Sequence, residues 1–233
     1  MTEALEPAAV LAARNPVRIL NESAEYRAAR QTLLIEEYEL RRLTERVAAM
    51  RRALPLGASV TGDYRFIAED GSEVPFAVLF GDKETLAIYN FMFGPQRARP
   101  CPMCTNLLGA LEGNANDVMQ QMALAVVAGA SIDRLNAFKA ERGWRFLKLF
   151  SDANGSWSRE FHAIGDDGGD IPGMHVFTRR DGTIRHFWSG EMTEGDPGQD
   201  PRGAPELAPL WHMLDLRPEG RDPQWYPELD YPK

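Results

Sequence analysis

Hydrophobic and polar positions divide this chain into stretches of different period. Residues 1 to about 22 mix Ala, Pro and Glu with no repeat and read as a loosely held arm. From Ser23 the pattern becomes helical. Tyr26, Ala29, Leu33, Leu40, Leu43, Val47 and Met50 fall on three- and four-residue steps, interrupted only by Glu36. Ser23 fits an N-cap, Glu25 an acid in the first turn, and Pro55 and Gly57 a stop after Arg52. The spacing predicts one long helix over 23–55, packed along its own domain or, on the sharper reading, self-associating through that stripe.

Downstream the period shortens. Asp63–Ile67, a Glu69-Asp70-Gly71 turn and Val74–Phe80 suggest a hairpin or a short strand. Thr85–Phe93 and residues 122–128 are apolar without clean alternation, as in strands buried on both faces. Helices are predicted from Cys101 towards Gln121 and over Ser131–Arg142, the second stopped by Gly143. Trp144–Phe150 reads as a further strand and Ser156–Phe161 as a short helix. Met174–Thr178 and Thr183–Trp188, joined through Asp181-Gly182, read as a hairpin. A Gly/Pro/Asp-rich loop over 191–205, a helix near Pro205–Leu214 and a tail over 217–233 follow. Strand and helix alternating in this way imply an α/β domain over about 56–216 around a mixed sheet.

Composition narrows the function classes. With 233 residues, 44% of them hydrophobic, the chain can bury one substantial core. A net charge of -8 and a pI near 5.1 argue against a partner bound through phosphates or anionic lipid. No stretch approaches the roughly 18 to 20 apolar residues of a membrane span, and the acidic start is unlike a secretory signal, so a cytoplasmic address is expected. The two cysteines stand three positions apart and cannot staple distant segments.

Those cysteines carry the chemistry. Cys101-Pro102-Met103-Cys104 follows a buried strand and a loop, at a predicted helix start. Unpaired amides and the helix dipole there favour a thiolate, making Cys101 the attacking thiol and Cys104, one turn on, the resolving one. Pro100 and Pro102 suit a helix start, and Pro102 and Met103 border the substrate. Arg97 and Arg99 either add positive charge beside the thiolate or are simply solvated. The competing readings are a zinc half-site, for which His162, His175, His186 and His212 offer no ligand spacing, and two inert thiols. Pro172-Gly173 precedes a hairpin strand, and in thioredoxin-like folds the corresponding proline is cis and faces the cysteine pair. A cis Pro172 would leave a backbone edge for an extended substrate, whereas a loop proline would not.

The 23–55 helix ending in Arg51-Arg52-Ala53-Leu54-Pro55, the Tyr89-Asn90-Phe91-Met92-Phe93-Gly94-Pro95 strand exit, the cysteine motif and the Gly143-Trp144 step together resemble the thioredoxin-like family called domain of unknown function 899, over about residues 20–222. The resemblance implies a thioredoxin-like fold and a bacterial dithiol-disulfide oxidoreductase that needs no cofactor, with the motif cysteines carried onto Cys101 and Cys104. The intervening Pro-Met differs from the Gly-Pro of thioredoxin, and Gly173 from its usual Thr. The chain lacks a peroxiredoxin's Pro-x-x-x-Thr-x-x-Cys pattern. The expected function is exchange with a disulfide-bearing protein or small thiol substrate. The alternatives are a thiol peroxidase on the same cysteines and a non-catalytic binding or scaffold protein.

Overall fold

A computed structural model describes residues 5–152, 154–191, 208–222 and 224–232. They form two compact units, residues 1–55 and 56–233. In the first, α1 (Ala8–Arg14) packs on α2 (Ala24–Arg52), burying Ala8 and Ala12. The expected loose arm is thus partly a helix. Its run of good helix formers starts after Pro7, and its alanines are small enough for close approach to α2. The Ser23 hydroxyl caps α2 by accepting from the Tyr26 N–H (3.0 Å). No residue of α2 is buried, and Leu33, Leu40, Leu43 and Met50 of its stripe are exposed.

The second unit holds one seven-stranded sheet in the order β2-β1-β5-β4-β3-β6-β7. The strands are β1 (Arg65–Ile67), β2 (Glu73–Pro75), β3 (Thr85–Asn90), β4 (Ala123–Ala128), β5 (Lys148–Ser151), β6 (Gly173–Arg180) and β7 (Thr183–Ser189). The helices are α3 (Pro102–Val118), α4 (Ile132–Arg142), α5 (Ser156–Glu160) and α6 (Pro209–Leu214). β3, β4 and β5 run parallel, while β6 pairs antiparallel with β3 and β7 with β6. This βαβ unit with an antiparallel hairpin on its first strand is the thioredoxin-like arrangement expected from the sequence.

The central strands lack alternation because both of their faces are covered. Ala87, Tyr89, Leu124, Val126 and Leu149 join Leu107, Leu108, Leu135 and Phe138 of α3 and α4 in one core. Leu86, Ile88, Ala125, Val127 and Phe150 join Phe66, Phe80, Trp157 and Phe177 in the other. Gly143 ends α4 in the left-handed conformation (φ 67°) that its missing Cβ allows. The β6–β7 turn has positive φ at both Asp181 (52°) and Gly182 (73°), the backbone of a tight hairpin.

Two expected strands are shorter than their apolar runs. β2 stops at Pro75, which has no N–H for the ladder, and Phe76–Phe80 winds into a 3-10 helix. β5 begins only at Lys148. The N–H groups of Arg145, Phe146 and Leu147 donate instead to the Glu112 carboxylate of α3 (2.6, 3.0 and 2.9 Å). Most of the predicted 191–205 loop lies outside the described residues.

A buried polar chain crosses the second core. Trp157 Nε1 donates to Asn90 Oδ1 (3.0 Å), Asn90 Nδ2 lies 2.9 Å from His175 Nε2, and His175 Nδ1 lies 2.7 Å from Ser189 Oγ. Burial pushes the His175 pKa down to about 4, with the neighbouring His186 and His162 acting the same way. An unfolded histidine titrates near 6.5, so between pH 6.5 and 4 the unfolded chain binds the extra proton and stability falls with pH. The loss from His175 is on the order of 3 kcal/mol once both states are protonated. Urea midpoints measured at pH 7 and pH 4.5 should therefore differ less in His175→Gln than in the wild type; equal differences would remove His175 as the cause.

Candidate active site

The redox pair is placed by the end of β3. Phe91 N–H donates to the Val127 carbonyl (2.8 Å) and Ala130 N–H to the Phe93 carbonyl (2.7 Å), so pairing with the β4 side continues past the strand. The loop from Gly94 then returns, and Cys101 N–H closes on the Met92 carbonyl (3.0 Å). Cys101 is the N-cap residue of α3, in extended conformation (φ -62°, ψ 127°), with Pro102 at the first helical position. Thr105 fastens that turn, its N–H and Oγ1 both donating to the Cys101 carbonyl (3.0 and 2.9 Å).

Both cysteines are free and buried, with 7% and 2% exposure, and they approach to 3.6 Å. Their environments push them apart. The Cys104 thiol beside it brings the Cys101 pKa down to about 6 against the opposing effect of burial. The amides of Cys104 and Met103 and the Tyr226 hydroxyl act in the same direction. The Cys101 side chain makes no cap hydrogen bond, yet the helix start still favours its anion. Cys104 moves well up, through its contact with Cys101 and its burial, while the Tyr89 hydroxyl and Met92 amide pull the other way. The two shifts run in opposite directions, favouring the anion at Cys101 and the thiol at Cys104.

Other residues singled out in the sequence have different surroundings. Met103 packs against the core that contains both cysteines. Arg97 Nε donates to Asp170 Oδ2 (2.7 Å). Arg99 forks onto Glu141 (2.6 and 2.5 Å). Both guanidiniums are committed to carboxylates, and thiol, amides and phenol are the main groups favouring the Cys101 anion. Asp170 also accepts from the Gly94 N–H (2.9 Å), tying the loop before Cys101 to the chain before Pro172. Of the two readings of Pro172, the loop proline is the one present: no peptide bond among the described residues is cis. The approach to β6 is fixed instead by the Ile171 N–H on the Ala163 carbonyl (2.8 Å). Gly173 opens β6 opposite Asn90, and a Cβ there would stand 3.1 Å from His175 Nε2, so a larger residue requires that ring to give way.

Three residues near the pair escaped the sequence reading. Tyr89 was legible as an inward position of β3, and Met174, its partner on β6, as an inward position of the hairpin. Tyr226 lies in the C-terminal segment and gave no periodic signal. Among the described residues no group of three or more His, Cys, Asp or Glu side chains is gathered to hold a metal ion, and no helix is long and apolar enough to cross a membrane.

A family model described as "Bacterial protein of unknown function (DUF899)" matches residues 16–231, and the chain belongs to that family. No curated protein matches. Among solved structures, peroxidoxin BcpB from Mycobacterium tuberculosis is similar at 17% identity and a TM-score of 0.47, covering 67% of this chain and 95% of that one. AhpC of Enterococcus faecalis is similar at 12% identity and a TM-score of 0.47, covering 68% and 93%. A mutant of PrxQ from Xylella fastidiosa is similar at 12% identity and a TM-score of 0.45, covering 58% and 84%.

The opposite shifts of the two thiols set a pH dependence. In the reduced protein, alkylation by iodoacetamide should rise through a midpoint near pH 6 and mark Cys101, while Cys104 stays unmodified well above its ordinary range. Peptide mass mapping across pH 4 to 9 checks this, and equal labelling of both cysteines would contradict the asymmetry.

Proposed function

We propose that this member of the DUF899 family is a thiol-disulfide oxidoreductase, with Cys101 as nucleophile and Cys104 as resolving thiol. The observation that carries the reading is the buried pair itself: 3.6 Å apart, Cys101 pushed towards thiolate and Cys104 held as thiol. The Cys101 thiolate attacks one sulfur of a substrate disulfide, forms a mixed disulfide and expels the other sulfur as a thiolate. That thiolate takes up a proton. Cys104 then loses its proton, attacks Cys101 Sγ and releases the second substrate thiol. Two electrons and two protons pass to the substrate, and the protein keeps a Cys101–Cys104 disulfide, which a thiol donor restores.

The substrate is a disulfide-bearing protein or a small thiol compound, received beside Pro102 and Met103, in a cytoplasmic setting that keeps the pair reduced. The burial of Cys101 favours a second reading on the same residues, a thiol peroxidase, because a peroxide is small enough for a nearly closed site. There the Cys101 thiolate takes one peroxide oxygen to become a sulfenic acid and an alcohol or water departs. Cys104 then condenses with the sulfenic acid, releasing water and leaving the same disulfide. Self-association belongs to α2, whose exposed leucines offer the surface; a chain lacking residues 1–53 should run as a smaller oligomer in light scattering, and an unchanged state would exclude the helix.

Titration in dithiothreitol and glutathione buffers, read by alkylation mass shift, should show a reversible two-electron transition at roughly -300 to -120 mV. Cys101→Ser should abolish exchange and Cys104→Ser should accumulate mixed disulfides. Absence of an intramolecular disulfide at every potential would overturn the proposal. Consumption of hydrogen peroxide that depends on Cys101 would select the peroxidase reading.

A further inference from the structure

The last residues of the chain read in sequence as a tail, yet they are fastened beside the redox pair. Arg142, at the end of α4, donates through Nη1 to the Leu229 carbonyl (2.9 Å). Arg99, two residues before Cys101, approaches Asp230 to 3.5 Å. The Leu229 side chain packs against the core containing Cys101 and Cys104. Inside the segment, Gln224 N–H donates to Asp222 Oδ1 (2.8 Å) and Glu228 N–H to the Tyr231 hydroxyl oxygen (3.1 Å). These anchors lie on the loop that leads into α3 and at the end of α4. Within the segment they fasten, the Tyr226 hydroxyl is one of the groups that favour the Cys101 anion.

We propose that residues 224–231 form a wall of the redox site and that Tyr226 is its positioning residue, holding the reactive Cys101 sulfur through its hydroxyl; this rests on the oxidoreductase reading above. The chemistry fits a phenol. A thiolate in a nearly closed site has few waters to solvate it, so protein donors must replace them. Arg97 and Arg99 are committed to Asp170 and Glu141, and the Tyr89 hydroxyl to Cys104. Tyr226 is 48% exposed, so its ring bridges the buried sulfur and the solvent from which a substrate arrives. A substrate segment that reaches Cys101 must share this wall or displace it, which gives the C-terminal segment a part in substrate choice.

The test is the pH profile of Cys101 alkylation in the full-length reduced protein. Tyr226→Phe keeps the ring and removes the hydroxyl. Its midpoint should rise from near 6 by about half to one unit, lowering the thiolate fraction at pH 5 about three- to tenfold. Tyr38→Phe, a phenol of α2 outside this segment, should leave the midpoint in place. Arg142→Ala releases the Leu229 carbonyl without touching Tyr226, and should raise both the midpoint and the plateau rate above pH 9 as the wall loosens. A Tyr226→Phe midpoint equal to wild type, or an equal shift in Tyr38→Phe, overturns the proposal. Should Tyr226→Phe fail to fold, an unmoved Arg142→Ala profile overturns it as well. The profile is independent of disulfide closure, so a pair that never oxidises would defeat the oxidoreductase reading and leave this measurement intact.

Discussion

Burial of β3 on both faces is the constraint from which the site follows. A strand with a core on each side must alternate its side chains between them, so Tyr89 faces the α3 side and Ile88 and Asn90 the other. Its neighbours β4 and β6 lock the register over the full length of the strand. The chain therefore leaves the sheet at Phe91 at a fixed height, and the Met92 carbonyl that receives the Cys101 N–H is fixed with it. A helix start in that place presents its amides to whatever occupies the N-cap. Here that residue is a cysteine, and the next turn brings a second sulfur to the Tyr89 hydroxyl.

The groups that favour the Cys101 anion are dipoles rather than cations. Moving a thiolate out of water costs free energy unless donors replace the lost hydration. Cys101 receives them from a neighbouring thiol, two amides and a phenol, each neutral, so the anion is favoured without a counter-charge that would itself need desolvation. The arginines that flank the motif serve geometry instead. Arg97 and Asp170 clamp the loop before the motif to the chain entering β6, and Arg99 joins that loop to α4 through Glu141. Arg99 and Glu141 stay partly solvated, the nearly buried Asp170 is held by Arg97 and the Gly94 N–H, and dipoles serve at the sulfur.

Most of the frame was legible because its signals are local. Ser23, Gly143 and Asp181-Gly182 mark ends and turns through their own conformational preferences, and the central strands announce themselves as unbroken apolar runs. The cysteine spacing with its strand and helix was equally local. What escaped depends on contacts distant in sequence. Nothing near Trp144 signals that Glu112 will take three amides from the start of the expected strand. Nothing near Arg97 signals Asp170, which is 73 residues away. The helix in the first 22 residues was hidden because alanine has propensity but little hydrophobic contrast, so a small buried face leaves no visible period.

The two faces of the sheet divide the work. On the side of Trp157, large aromatic rings and the Asn90–His175–Ser189 chain fill the space with interlocking, hydrogen-bonded groups. On the other side, Phe91, Phe93, Phe138 and Trp144 pack ring against ring, and methionines at 92, 103 and 174 lie against the core that also holds the cysteines. Methionine is unbranched and polarisable, and it accepts small shifts in its neighbours more readily than an aromatic ring does. Closing a disulfide brings two sulfurs from 3.6 Å to a bond of about 2.05 Å, and the surroundings must absorb that movement. Asn90 belongs to the face with the hydrogen-bonded chain and Tyr89, the residue before it, to the face with the cysteines. Adjacent positions of one strand therefore connect a frame that holds its shape to a site that must change it.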